Sequence, residues 1–130
     1  MKTRLLQLFF LAFALTIGCS QGQNKASLSP QAFTDKINQT PDALVIDVRT
    51  PQEYQEGHLA KAKNIDWQGE HFEHQVMSLD KSKPVFVYCL KGGRSASAAS
   101  KMRSMGFKEV YELEGGLDKW QAAKFPIVKD

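Results

Sequence analysis

The chain has 130 residues, with 17 basic and 14 acidic side chains and a formal charge of +3. Lys2 and Arg4 fall in residues 1–18 and no acidic residue does, so the rest is near neutral, which excludes a nucleic-acid binder built on clustered Lys and Arg. An apolar content of 42% excludes a disordered chain, and two cysteines make neither a disulfide framework nor a four-cysteine zinc site.

Lys2 and Arg4 form a short basic start, and residues 5–17 are apolar apart from Gln7 and Thr16. With the small residue Gly18 behind it, this pattern predicts a secretory signal over residues 1–18. The run is shorter than the roughly 20 residues a spanning helix needs, and residues 8–15 lack the polar face of a soluble helix. Residues 19–28 are mostly polar and unpatterned, and are expected to act as a tether. Residues 29–130 then form one domain with one core.

Ser29-Pro30 is a helix start, and Phe33 and Ile37 give the helix over 30–38 its buried stripe. Residues 44–48, Leu-Val-Ile-Asp-Val, read as a buried strand. Thr50-Pro51-Gln52-Glu53 places an N-cap, a proline and a capping-box glutamate in order, and Gly57 ends the short helix they begin. A short strand is expected over 63–66 and a helix over 69–79 with Phe72, Val76 and Leu79 on one face. Residues 84–89 are the clearest strand. Residues 94–105 form a helix that buries Ala98, Met102 and Met105, with Gly106 as its cap. A strand over 109–113 and a helix over 117–124, stopped by Pro126, complete the chain. This alternation predicts an α/β fold: a parallel sheet with helices on both faces. Ligands bind such sheets at the carboxyl ends of the strands, which directs attention to the segment after Tyr88.

That segment is Cys89-Leu90-Lys91-Gly92-Gly93-Arg94-Ser95. Two glycines allow close backbone approach and aim successive N–H groups into one concavity, and a helix N-terminus adds positive potential. Such a nest beneath a thiol stabilises the thiolate and lowers the pKa of Cys89. Lys91 and Arg94 add formal charge, so the loop is expected to present a nucleophile to an anionic substrate held by Leu90, Lys91, Gly92, Gly93 and Arg94.

Other candidates read as structure. Asp47, Arg49 and Glu53 are expected to form ion pairs, with Arg49 and Glu53 tying the strand end to the short helix. His58, in a turn after Gly57, reads as structural rather than as a base for Cys89. His71 and His74 share a helix face but lack a third ligand, so they are expected to be solvated surface, with no metal bound. Trp67 and Trp120 belong to the core or a pocket wall, and Lys101-Met102-Arg103 is too small a patch for nucleic acid.

The chain resembles a single-domain rhodanese over about residues 29–124. The resemblance is carried by Ile46-Asp47-Val48-Arg49 with Glu53-Tyr54, by Gly57-His58-Leu59 leading to Ala62-Lys63-Asn64-Ile65, by the Cys89–Arg94 loop with Ser95, and by Glu114-Gly115-Gly116 with Trp120. It departs at Lys61, where the family often has glycine. The resemblance implies a sulfurtransferase that carries sulfane sulfur as a persulfide on Cys89, taken from a small anionic donor such as thiosulfate and passed to a thiol or cyanide. No cofactor is implied. The alternative is a non-catalytic persulfide carrier or binding module. Related phosphatases have a loop one residue longer, so the six-residue loop 89–94 favours sulfur over phosphoryl chemistry.

Thr16-Ile17-Gly18-Cys19 resembles a bacterial lipoprotein signal, in which the cysteine is lipidated and becomes the mature N-terminus. Thr16 departs from the aliphatic residue expected there, which leaves ordinary cleavage or an uncleaved anchor open. The resemblance implies a periplasm-facing domain of the cell envelope, held to the membrane by a lipid on Cys19. In an oxidising compartment an unidentified reducing partner would keep Cys89 available.

Overall fold

The computed structural model describes residues 26–130. The leader expected at 1–18, Cys19 and most of the tether lie outside the described residues. Within them the strands are β1 Ser27–Leu28, β2 Leu44–Asp47, β3 Lys63–Asn64, β4 Val85–Tyr88 and β5 Val110–Leu113. The helices are α1 Pro30–Asn38, α2 Pro51–Glu56, α3 Phe72–Met77, α4 Gly93–Ser104 and α5 Gly116–Ala122. The strands form one parallel sheet in the order β1-β5-β4-β2-β3, with Ile46 opposite Val87 and Val85 opposite Val110.

The sheet is buried on both faces, which is why β2 and β4 read as continuous apolar runs rather than alternating ones. Successive side chains still point to opposite faces. Ile46, Val85 and Val87 pack with Phe72 and Val76 of α3 and with Ala98, Ala99 and Met102 of α4. Val45, Phe86 and Tyr88 pack with Phe33 of α1 and with Leu117 and Trp120 of α5. The same alternation sends Cys89, just past the end of β4, to the α4 side, where it joins the first of these clusters. The reactive candidate is therefore placed by strand register, and the helix after it begins on the same face.

Local chemistry sets the element ends. Ser29 caps α1, its hydroxyl accepting from Ala32 N at 3.2 Å. Thr50 and Glu53 close the reciprocal capping box of α2. The expected helix over 69–79 is shorter, because Asp66 draws the preceding residues into a turn: its carboxylate accepts from Gln68 N and its carbonyl from Gly69 N. β3 is also shorter than expected. Backbone bonds from Ile65 N to Asp47 O and from Trp67 N to Val48 O continue past it, and Asn64 Nδ2 donates to the carbonyls of Asp47 and Arg49, so a side chain shares the β2 end with the backbone. The tether does not extend to residue 28 as expected, because Ser27–Leu28 is the edge strand of the sheet. Glu112 N donates to Ala26 O and Glu114 N to Leu28 O. Two residues are too few to carry a periodic signal, and the pairing with β5 is what makes them a strand. Lys61, the departure from the rhodanese pattern, has φ 63° and is exposed. The left-handed turn explains the family's glycine there, and an L-residue occupies it at a local cost of roughly 1–2 kcal/mol.

Candidate active site

The carboxyl end of β4 opens into the loop 89–94, and α4 starts at Gly93. The Cys89 side chain is buried, 1% exposed. Its Sγ accepts from Gly92 N at 3.1 Å and Ser95 N at 3.4 Å, and the thiol lies 3.4 Å from Ser95 Oγ. Gly92 reaches this position with φ 109°, a conformation that L side chains rarely adopt. Burial pushes the Cys89 thiol up, but hydrogen bonds from the Ser95 hydroxyl and from the N–H groups of Ser95, Gly92 and Lys91 outweigh it. The net shift is downward, toward the thiolate.

Ser95 is the residue that sequence reasoning undervalued. Its hydroxyl is fully buried and lies between Cys89 Sγ and Gly92 O, to which it donates at 3.1 Å. With the thiol protonated, Sγ donates to Ser95 Oγ and the hydroxyl donates to Gly92. With the thiolate formed, rotation of the hydroxyl turns it into a further donor to sulfur. Its signal in the sequence was a hydroxyl residue in the first turn of the helix behind a cysteine loop.

The second glycine pair acts from below the loop. Leu117 N donates to Cys89 O at 2.9 Å and Asp118 N to Leu90 O at 3.0 Å. A Cβ on Gly116 would lie 2.5 Å from Leu90 C and 2.6 Å from Cys89 O. Glycine at 116 is thus required for α5 to approach the loop, and the Glu114-Gly115-Gly116 stretch belongs to the site although it is remote in sequence.

The charged residues are arranged differently from the sequence expectation. Arg94 does not extend freely toward a donor: Nη1 and Nη2 each lie 2.8 Å from Glu53 Oε2 and Oε1 in a bidentate pair. Glu53 consequently does not pair with Arg49. Arg49 turns back on Asp47, with Nη2 2.7 Å from Oδ2, and donates to Gly57 O at 2.6 Å. The physical reason lies in reach. Arg49 and Asp47 leave β2 on the same side, while the capping box points the Glu53 carboxylate toward α4. Asp47 and Arg49 are buried, and beside them the hydroxyl of Tyr88 accepts from Leu59 N at 3.0 Å. Lys91 is exposed and has no ion-pair partner among the described residues, so it is the loop cation available to an incoming anion.

His58 is buried with both ring nitrogens engaged, Nδ1 with Leu59 O and Nε2 with Asp130, and its ring stacks on Tyr54 at 3.8 Å. Neither nitrogen contacts Cys89. Trp120 lies in the core and donates to Pro126 O, and Trp67 packs edge-on against Phe72. His71 and His74 are exposed. Among the described residues no cluster of three His, Cys, Asp or Glu side chains is placed to hold a metal ion.

Ser95→Ala removes one donor from the thiolate and leaves the backbone nest in place. Its expected effect is an alkaline displacement of the pH profile of Cys89 alkylation. At neutral pH the reaction should be about tenfold slower or more, since a hydrogen bond to an ion contributes roughly 1.5–3 kcal/mol. An unmoved profile in the folded variant would remove the hydroxyl from the account of thiolate stability.

The rhodanese-like domain family matches residues 29–123. The thiosulfate sulfurtransferase GlpE of Ectopseudomonas mendocina is 38% identical over 85 residues, 65% of this chain and 74% of that protein. GlpE of Coxiella burnetii is 40% identical over 81 residues, 62% of this chain and 74% of that protein. Among solved structures, a rhodanese-related protein from Thermoplasma volcanium superposes with a TM-score of 0.71 at 27% identity, covering 80% of this chain and 98% of its own. The polysulfide-sulfur transferase homodimer of Wolinella succinogenes superposes with a TM-score of 0.67 at 33% identity, covering 80% of this chain and 78% of its own. With that family match running over residues 29–123, the chain belongs to the rhodanese-like domain family.

Proposed function

We propose that the protein is a sulfurtransferase that carries sulfane sulfur on Cys89, with thiosulfate as a donor and a thiol or cyanide as acceptor. The observation that carries this reading is a cysteine sulfur surrounded by the N–H groups of Gly92 and Ser95 at 3.1 and 3.4 Å, in a six-residue loop. The thiolate attacks the outer sulfur of thiosulfate. The new Cys89 S–S bond forms as the S–S bond of thiosulfate breaks, and sulfite leaves with the electron pair. Cyanide then attacks the terminal sulfur of the persulfide, thiocyanate departs, and the thiolate is regenerated. Electrons balance within the two displacements. The GlpE relatives, named as thiosulfate sulfurtransferases, support this choice of donor. Lys91 serves as the cation that draws in the dianion.

Thiosulfate treatment should add one sulfur atom to the intact mass of the domain, and cyanide should remove it. Cys89→Ser should show neither the adduct nor thiocyanate formation, because a serine cannot hold the sulfane sulfur; turnover by this variant would end the persulfide mechanism. Lys91→Ala keeps thiol and nest and removes one charge. Donor kcat/KM is expected to fall about tenfold to a hundredfold at low salt, with the deficit shrinking as ionic strength rises. Wild-type behaviour of Lys91→Ala would mean that the backbone alone holds the donor.

We also propose that the domain faces outside the cytoplasm, anchored by a lipid on Cys19. The support is the leader pattern of Lys2, Arg4, the apolar residues 5–17 and Gly18-Cys19. In cell fractionation the wild-type chain should sediment with membranes and Cys19→Ala should move to the soluble envelope fraction. Recovery of the wild type in the cytosol would overturn the leader reading.

A further inference from the structure

We propose that Glu53 is a specificity-determining residue that acts through Arg94: by pairing with it in a bidentate clasp, Glu53 masks the arginine's charge and leaves Lys91 as the cation that meets an incoming donor. The proposal deepens the sulfurtransferase reading and rests on it for the identity of the donor.

Four hydrogen bonds converge on the Glu53 carboxylate. Oε2 accepts from Thr50 N and Thr50 Oγ1 at 3.0 Å and from Arg94 Nη1 at 2.8 Å, and Oε1 accepts from Arg94 Nη2 at 2.8 Å. Arg94 holds the carboxyl well below its usual range, at about 2, with burial opposing and Thr50 assisting, so the group is ionised at neutral pH. The pair is half-buried, with side-chain exposures of 23% and 28%. Planar fork-on-fork geometry commits both outer nitrogens of the guanidinium to one partner. Arg94 directly precedes Ser95, whose N–H and hydroxyl touch Sγ, so its charge belongs to the field of the nucleophile. Left alone, that guanidinium would draw a dianion toward Cys89. Paired, it presents almost no net charge.

The clasp also spans elements. α2 buries none of its residues, and its carboxylate reaches from the β2–β3 connection across to the start of α4. A carboxylate already required to cap α2 thereby sets the charge beside the sulfur cradle. A site with one available cation discriminates less strongly in favour of dianions over monoanionic or neutral sulfur carriers than a site with two.

Glu53→Gln, Arg94→Gln and the double variant test this, each verified as folded by circular dichroism. Two quantities are read. One is KM for thiosulfate with cyanide as acceptor. The other is the ratio of alkylation rate constants of Cys89 for iodoacetate over iodoacetamide, in which the thiolate fraction cancels and no turnover is needed. In Glu53→Gln the ratio should rise and KM fall by about threefold to tenfold at low salt, the effect of one added unit charge at the site in a largely aqueous dielectric. Arg94→Gln should move both quantities the other way, because a bare carboxylate is left behind. The double variant should return toward the wild type, since the pair is neutral in either form. Single variants that leave the ratio unmoved, or three variants that all lose kcat alike, would overturn the proposal and make the pair purely structural. Should Glu53→Gln fail to fold, Arg94→Gln and the double variant still decide the sign. If the wild type does not turn over thiosulfate while the alkylation ratio moves in the expected order, the donor assignment falls and the masking stands.

Discussion

The orientation of two peptide planes governs the site. In a trans peptide the C=O and the next N–H point in opposite directions. Asp118 N takes the carbonyl of Leu90, so the N–H of Lys91 is turned to the other side of that plane, toward Cys89 Sγ. Leu117 N takes the carbonyl of Cys89 in the same manner. The start of α5 thus fixes the two peptide planes that follow Cys89 and, through the second, the direction of the Lys91 N–H. It can do so because residue 116 has no Cβ, which would collide with the very carbonyls that need holding. The sulfur cradle is therefore a joint product of two connections, β4–α4 and β5–α5, which adjacent strands in a parallel sheet bring side by side.

Beneath the cradle lies a second layer of polar order. Asp47, Arg49 and the hydroxyl of Tyr88 are buried on the α1–α5 side of the sheet. Each also holds backbone: Asp47 accepts from Arg49 N, Arg49 holds Gly57 O, and Tyr88 accepts from Leu59 N. A buried ion pair of this kind adds little net stability over apolar packing, because desolvation offsets its attraction. Its contribution is geometric. It suspends the connection over residues 57–64 from the ends of β2 and β4, and Tyr88 is the residue before Cys89. Burial and the Asp47 charge both push the Tyr88 hydroxyl upward, so it stays a neutral group in this network.

The sequence carried the fold through patterns that physics makes local. Continuous apolar runs at 44–48 and 84–89, a proline after each of Ser29 and Thr50, and the glycine stops are set by burial and capping within a few residues. The cysteine loop was legible for the same reason, since its donors come from its own backbone. What was not legible was partnership. Arg49 stands four residues from Glu53, a spacing that invites a pair, yet Glu53 is held from residue 94 and Arg49 by residue 47. Which cation meets which carboxylate depends on how α2 and α4 are set on the sheet, and no local pattern encodes that. The edge strand Ser27–Leu28 was hidden for a related reason: it exists only through its pairing with β5. Lys61 shows the converse, a departure from the family pattern whose backbone conformation the structure retains at φ 63°.

The charge arrangement suits the sulfur-carrying role proposed above in a specific way. A thiolate and a persulfide anion each bear one negative charge, so loading and unloading sulfur changes the size of the group held in the loop but not its charge. Fixed neutral dipoles suit that requirement: they stabilise an anion without a counter-ion that must be displaced when a charged donor arrives or sulfite departs. Gly92, Ser95 and Lys91 supply such dipoles through their N–H groups, and the Ser95 hydroxyl adds another. A free guanidinium beside Sγ would work differently. It would hold the departing anion as firmly as the arriving one and slow the release on which turnover depends. In the proposed reaction, closing Arg94 onto Glu53 would leave Lys91, exposed and on a flexible stem, to act at the entrance, where attraction would speed arrival and solvent screening would let the product go.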